Sequence, residues 1–409
     1  MLKRINVEYL QTGMFLQELC GSWMEHPFWR SSFKLDDPQD IRRIVDSGIR
    51  EVWIDTSKGL DVPTGVGKAD ADAAVEQHLA VVAEAAPVRV ERAEMAAEVQ
   101  RAARICAKAK QAVTSMFQEA RMGKAVDAES CAPLVEEITT SVMRNPGALI
   151  SLARLKTKDD YTYMHSVAVC GLMVALAREL GLDDIQTRQA GLAGLLHDVG
   201  KMAIPLEILN KPGKLTDEEF AAVRNHPAAG FQMLENGSGV GEIQLDVCLH
   251  HHEKVDGSGY PHRLPAEKIS LFAKMGAVCD VYDAITSDRP YKRGWGPADS
   301  LRKMSEWSKG HFDERIFRAF VKSVGIYPVG SLVRLHSGRL GVVLDQNEKS
   351  LLAPRVKVFF STRSNARLRP EVVDLARTGC PDKIVAHEDP DKWNFPDLNA
   401  LWMNPGVQA

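Results

Sequence analysis
The sequence has no C-x-x-C spacing, no apolar run long enough to cross a bilayer, and no excess of charge of either sign. Its seven cysteines, at positions 20, 106, 131, 170, 248, 279 and 380, are odd in number and widely scattered. That excludes a disulfide framework and a zinc ribbon and suits small buried hydrophobes. The best apolar stretch, Val167 to Ala177, falls far short of the roughly 20 residues of a transmembrane helix, so no membrane span is expected. With 51 Lys and Arg against 54 Asp and Glu, a net charge of −3, the chain lacks the basic field that duplex nucleic acid requires. Residues Met1 to Asn6 carry no apolar secretory segment, which points to a cytoplasmic protein. Internal repeats and low-complexity tracts are also missing.

What remains is 409 residues, 45% apolar and 26% charged, enough for two or three domains of about 150 residues each. Residues 1–90 read as a small α+β module and its linker, a candidate regulatory element. Gly13 to Leu16 and Glu51 to Asp55 have strand character, Pro38 to Ser47 is helical, and Ser57 to Pro87 reads as a linker with one helical piece. Residues 91–126 hold a connecting helix, rich in Ala, Glu and Arg with no internal Pro or Gly from Glu91 to Met122. Residues 127–328 are helical in pattern: Val167, Cys170, Gly171 and Val174 recur at helical spacing, as do Leu192, Leu195, Leu196 and Val199, and Thr216 with Glu219 has the form of a capping box. Residues 329–409 change to short strand-like runs, Ser331 to Leu335, Gly341 to Leu344 and Arg355 to Phe359, followed by irregular sequence. The fold class expected is mainly α: a helical bundle preceded by a small α+β module and followed by a small β-rich tail.

The chemistry is concentrated in the bundle. Seven of the twelve histidines lie between His165 and His262, several of them beside carboxylates. Imidazole with carboxylate and no thiolate suits iron, manganese, nickel or zinc. In His197-Asp198-Val199-Gly200-Lys201 a short carboxylate follows an imidazole, an arrangement able to bridge two ions, and Lys201 can reach a phosphate oxygen at the same place. In His251-His252-Glu253-x-x-Asp256-Gly257-Ser258-Gly259-Tyr260-Pro261 the glycines mark a tight loop. A third segment carries Asp280 among the small residues Gly276, Ala277 and Ala284, and is followed by Asp288-Arg289-Pro290-Tyr291-Lys292, whose two cations suit a phosphate clamp. A lone histidine is more often structural than a ligand. His250 in particular reads as a packing or supporting residue, and His262, His311 and His336 as surface or structural ones.

The run from about Asp160 to Val329 resembles an HD-GYP domain of the HD phosphohydrolase superfamily: His197-Asp198, Gly259-Tyr260-Pro261 and the Asp-Arg-Pro-Tyr segment all occur in family order. Residues 1 to about 60, with the linker after them, resemble an N-terminal module of unknown function often found ahead of that domain. The resemblance implies an all-α metal-dependent phosphodiesterase that hydrolyses cyclic di-GMP, first to linear pGpG and then, in many members, to GMP. Carried onto matching positions, it implies metal ligands at His165, His197, Asp198, His226, His251, His252 and Asp280, with Asp198 and Lys201 in the catalytic machinery and Lys201, Arg289 and Lys292 binding substrate. Family members with a third metal have a glutamate where this chain has Tyr161, so two divalent transition ions (Fe, Mn or Ni) are expected, sharing the hydroxide that attacks phosphorus. The expected partition is His165, His197 and Asp280 on one ion, His226, His251 and His252 on the other, and Asp198 between them. Tyr161, His250, Glu253, Asp256, Tyr260 and Asp283 are given supporting roles around the centre. Cyclic di-GMP is the expected partner, with diguanylate cyclase-type signalling proteins and a second copy of the chain as further candidates, and a shift from biofilm attachment to motility is the expected consequence. Two rival readings are a phosphohydrolase of another nucleotide, against which the Gly-Tyr-Pro loop with Arg289 and Lys292 argues, and a non-catalytic sensor or docking module, which would not need the full ligand set.

Overall fold
The computed structural model describes residues 1–21, 28, 32–84, 93–155, 161–209, 211, 215–287, 294–347 and 350–403. The chain opens with β1 (Leu2–Asn6), β2 (Phe15–Cys20), β3 (Phe33–Lys34), α1 (Pro38–Asp46), β4 (Glu51–Asp55) and β5 (Val66–Gly67). The five strands form one antiparallel sheet in the order β3-β2-β4-β1-β5. α1 starts where Asp37 accepts the Gln39 N–H at 2.8 Å and Pro38 pre-sets the first helical residue. Its Ile44 packs with Ile5, Leu16, Val52 and Ile54 of the sheet in a separate small core.

The segment read as a linker is ordered differently. It supplies edge strand β5 and then α2 (Lys68–Glu84), whose Ala71, Val75 and Leu79 are buried at i, i+4, i+8. Only Leu79 of that stripe is a large apolar residue, so its periodicity is faint in sequence. The next helix, α3 (Met95–Arg121), is likewise more than a connector. Val99, Ala102, Ile105, Ala109, Val113 and Phe117 are all buried in the main core, and Glu98, fully buried, takes hydrogen bonds from Ser141 Oγ (2.8 Å) and Arg144 Nε (2.6 Å).

The helical region follows as α4 (Ala132–Arg144), α5 (Pro146–Arg154), α6 (Tyr161–Glu179), α7 (Asp184–Leu196), α8 (Leu206–Leu209), α9 (Asp217–Arg224), α10 (His226–Glu235), α11 (Glu242–His250), α12 (Leu271–Thr286), α13 (Pro297–His311) and α14 (Glu314–Val324). Capping boxes open α7 (Asp183 with Gln186) and α9 (Thr216 with Glu219). α6 is central, packed by α3, α4, α5, α7, α12 and α14. α7 approaches it closely because position 194 is glycine: a Cβ there would lie 2.9 Å from the Val169 carbonyl oxygen. α2 lies against α13 and α14.

The tail is a second antiparallel five-stranded sheet of β6 (Leu332–Leu335), β7 (Arg339–Asn347), β8 (Ser350–Ser361), β9 (Ala366–Asp374) and β10 (Ile384–His387), in the order β10-β6-β7-β8-β9. Leu340, Val342, Leu344 and Phe359 join the bundle core, while Val333, Leu335, Val343, Val356 and Val358 form a core of their own. The stretch expected to be irregular contains β9, β10, α15 (Pro390–Trp393) and α16 (Leu398–Met403), the last burying Trp402 completely. Among the described residues no helix is long and apolar enough to cross a membrane.

Candidate metal centre
Six elements converge on one buried point. His165 projects from α6, His197 ends α7, Asp198 begins the 3-10 turn Val199–Ala203, His226 is the first residue of α10, His251 and His252 follow α11, and Asp280 lies in α12. The turn reaches α10 because residue 200 is glycine: a Cβ at that position would sit 1.9 Å from the His226 carbonyl oxygen and 2.4 Å from the Gly230 nitrogen.

Three groups in this cluster are able to hold a metal ion: His165 with His197 and Asp280; His226 with His251 and His252; and His197 with Asp198 and His251. Asp198 faces both sides. Its Oδ2 lies 3.3 Å from His165 Nε2 and 3.4 Å from His197 Nε2, and its Oδ1 lies 3.2 Å from His226 Nε2 and 3.9 Å from His251 Nε2. Asp280 Oδ1 is 3.0 Å from His165 Nε2 and 3.8 Å from His197 Nε2, and its Oδ2 is 3.8 Å from His252 Nδ1.

Hydrogen bonds on the far side of the His165, His197, His226 and His251 rings fix which nitrogen faces inward. Nδ1 of His197 meets the Gly194 carbonyl at 2.8 Å, that of His226 the Val223 carbonyl at 2.7 Å, and that of His251 the Val247 and Cys248 carbonyls at 3.0 Å. A carbonyl only accepts, so in these three rings Nδ1 carries the proton and Nε2 presents its lone pair to the centre. His165 Nδ1 is 2.6 Å from Asp283 Oδ2. The inward nitrogens crowd to 3.2 Å (His165 and His197), 3.3 Å (His226 and His251) and 3.2 Å (His226 and His252). Two buried carboxylate oxygens, Asp198 Oδ1 and Asp280 Oδ2, accept no hydrogen bond from any described residue. Converging lone pairs and orphaned oxygens in an enclosed site are what a divalent cation satisfies, so the donor set fits a metal.

The charges agree with that picture. Burial would raise Asp198, but the Lys201 ammonium and His197 hold it well below the carboxylate range; burial opposes, and the facing His165 and His197 rings likewise hold Asp280 low. Burial would lower His165, yet Asp198, Asp280 and Asp283 together raise it to about 9. His251 is pushed down to about 3 by burial and by its neighbours His197 and His226, and burial with the adjacent His251 holds His252 well below the ordinary imidazole range. Without metal, His165 is therefore held in its charged form near neutral pH.

Lys201 donates to Asp198 Oδ2 and its side chain is 12% exposed. The turn that carries it is held by a residue sequence reading missed, Arg121 of α3, which donates to the Ile204 carbonyl at 2.9 Å. The Gly-Tyr-Pro loop forms one wall. The Tyr260 ring stacks on His252 with centroids 4.6 Å apart, and the Arg224 guanidinium lies 4.5 Å from the Tyr260 ring centroid. Glu253 is a loop anchor: its buried carboxylate takes the N–H groups of His262 (2.7 Å) and Leu264 (3.0 Å). Asp256 takes the Ser258 N–H and hydroxyl. His250 is bonded to Asp246 (2.7 Å) and His262 (3.1 Å), away from the converging rings. Tyr161 begins α6, but its side chain lies outside the described residues, as do Arg289 and Lys292 entirely.

Comparison with known proteins fits this geometry. Residues 2–131 match the model of a domain of unknown function, DUF3391, a match that runs past the first sheet through α3. Residues 143–316 match the HD domain. Over 403 residues the chain is 59% identical to the cyclic di-GMP phosphodiesterase PA4108 of Pseudomonas aeruginosa, covering 98% of this chain and 96% of that protein. The chain belongs to the HD-GYP family. It is also 42% identical over 156 residues to the cyclic di-GMP phosphodiesterase response regulator RpfG of Xanthomonas campestris, 38% of this chain and 40% of the relative. It is 35% identical over 177 residues to the 3'3'-cGAMP-specific phosphodiesterase 1 of Vibrio cholerae, 43% of this chain and 41% of the relative.

Proposed function
We propose that this HD-GYP protein hydrolyses cyclic di-GMP at a centre of two divalent transition-metal ions, opening the ring to linear pGpG and then yielding GMP. The observation that carries the reading is the pair of Asp198 oxygens, one facing His165 and His197 and the other facing His226 and His251. His165, His197 and Asp280 would hold one ion and His226, His251 and His252 the other, with Asp198 between them, and the all-N/O donor set suits iron, manganese or nickel. Such a pair supplies Lewis acidity and an activated water for in-line displacement at phosphorus.

The chain's own residues supply the rest. Asp283 holds the His165 ring in register, and the backbone carbonyls of Gly194, Val223 and Val247 do the same for His197, His226 and His251. Lys201, already at the centre, is placed to turn its ammonium from Asp198 to a phosphoryl oxygen and offset the charge that develops there. Tyr260, held between His252 and the Arg224 guanidinium, puts an aromatic edge beside the centre for contact with a nucleobase or ribose. The substrate assignment is supported by the relative that matches nearly the whole chain.

The test is chromatography of cyclic di-GMP, 3'3'-cGAMP and cyclic AMP after incubation with anaerobically purified, metal-loaded protein. Appearance of pGpG or GMP, with cyclic di-GMP the best substrate, is the expected result. Preference for 3'3'-cGAMP would change the substrate, and binding of cyclic di-GMP without turnover would make the protein a sensor.

A further inference from the structure
The N-terminal module is seated on α13. Lys303 of that helix pairs with Glu18 of β2 at 2.9 Å, and Arg4 of β1 donates to the Glu306 carbonyl at 3.3 Å. From this platform one side chain reaches the metal-site loop. Arg50, between α1 and β4, pairs through Nε with Asp256 Oδ2 at 2.7 Å, and its Nη2 donates to the Asp256 carbonyl at 3.1 Å. The Arg50 backbone is itself fixed, its carbonyl accepting the Val7 N–H at 2.8 Å.

Asp256 is the hinge of the Gly-Ser-Gly-Tyr-Pro loop. Its Oδ1 takes the Ser258 N–H at 2.8 Å and the Ser258 hydroxyl at 2.6 Å. Its own N–H goes to the carbonyl of Gly310, where α13 leaves helical geometry. Two residues beyond Ser258, Tyr260 bonds the His252 carbonyl through its N–H (3.2 Å) and stacks on the His252 ring. A contiguous path therefore runs from Arg50 through Asp256 and Ser258 to Tyr260 and His252. The loop contains Gly257 and Gly259, so its conformation depends on such anchors more than a side-chain-rich loop would.

We infer that Arg50 is a positioning residue for the hydrolysis: by gripping Asp256 it sets the loop that places Tyr260 against His252, and through it the N-terminal module governs the rate of the helical domain. This rests on the diesterase reading above. The Arg50 side chain is 56% exposed and that of Asp256 12%; an arginine that pairs from the surface contributes little to global stability, so its removal acts on the loop rather than on the fold.

The experiment uses the full-length, metal-loaded chain as wild type, Arg50→Gln and Arg50→Lys. Amide hydrogen exchange over residues 253–264 is measured beside kcat and KM for cyclic di-GMP. Arg50→Gln is expected to raise exchange at Ser258 and Tyr260 by about fivefold or more, to lower kcat/KM about three- to tenfold, and to shift Tm by less than about 2 °C. Arg50→Lys, which keeps the charge but not the two-point grip, should fall between the two. Unchanged loop exchange and kinetics in Arg50→Gln would overturn the inference, as would losses in Gln and Lys variants that simply track a drop in Tm. Exchange does not depend on turnover, so an inactive wild-type chain would count against the diesterase reading, while the loop measurement would still decide whether Arg50 holds the loop.

Discussion

Replacing Gly200 by alanine tests the packing that assembles the centre. The added Cβ would lie 1.9 Å from the His226 carbonyl oxygen, 2.4 Å from the Gly230 nitrogen and 2.8 Å from the Gly230 Cα, whereas ordinary contact begins at 3.4 Å. All three obstacles are backbone, so no side chain can swing away, and the Val199–Ala203 turn and α10 must separate by about 1.5 Å, far outside the tolerance of about 0.2 Å for metal–ligand distances. His226 is carried by α10 and Asp198 by the turn, now 3.2 Å apart through Nε2 and Oδ1. Overpacking of this kind costs about 3 kcal/mol, the upper part of the usual range, and a displacement of about 1 Å at a reacting site costs about a hundredfold in rate. The expected variant is folded but less thermostable, deficient in bound metal and at least about a hundredfold slower. Thermal unfolding, elemental analysis and the cyclic di-GMP assay on one preparation check all three. Gly67→Ala is the control: its Cβ meets only Asp70 Oδ2 at 3.6 Å, and its Tm should match the wild type. A Gly200→Ala protein with wild-type Tm, metal content and rate would refute the packing argument.

Other consequences follow from single contacts. Asp283→Ala removes the partner of His165 Nδ1 and should weaken metal binding about 10- to 100-fold with little change in fold, read by metal-competition titration and circular dichroism. Lys201→Ala should lower kcat by about a hundredfold or more while metal content matches the wild type, since Lys201 is not among the converging donors. In the metal-free protein the His165 pKa is raised from 6.5 to about 9. Its contribution to stability is therefore full below pH 6.5 and is lost as pH rises through about 9. Chelator-treated protein should show a Tm that falls across that window, and metal loading near pH 7 should release a proton, giving a binding heat that changes with the ionisation enthalpy of the buffer; a buffer-independent heat would count against it.

The site was more legible in the sequence than its surroundings. His197-Asp198, the His251-His252 pair and the Gly-Tyr-Pro loop are contiguous, so their chemistry can be read without knowing the fold, and the structure brings His165, His226 and Asp280 to the same point. Arg50, Arg121 and Arg224 were invisible as functional residues because each is a lone cation whose partner lies tens to hundreds of positions away: Arg50 and Asp256 are 206 residues apart. α2 and α3 were undervalued for a related reason. Their buried stripes are built largely from alanine and valine, which suit a solvated connector as well as a core helix until the partner helices are in place. β9 was missed because every one of its residues is exposed or half-buried, leaving no clean alternation to mark a strand.

The central claim is that Asp198 joins two metal sites that act together on a phosphodiester. Its most direct test is metal content and cyclic di-GMP turnover measured side by side on anaerobically purified wild type and Asp198→Asn. The account predicts about two equivalents of transition metal and release of pGpG or GMP for the wild type, with both metal content and turnover collapsing in Asp198→Asn. Two full equivalents and undiminished turnover in that variant would contradict it.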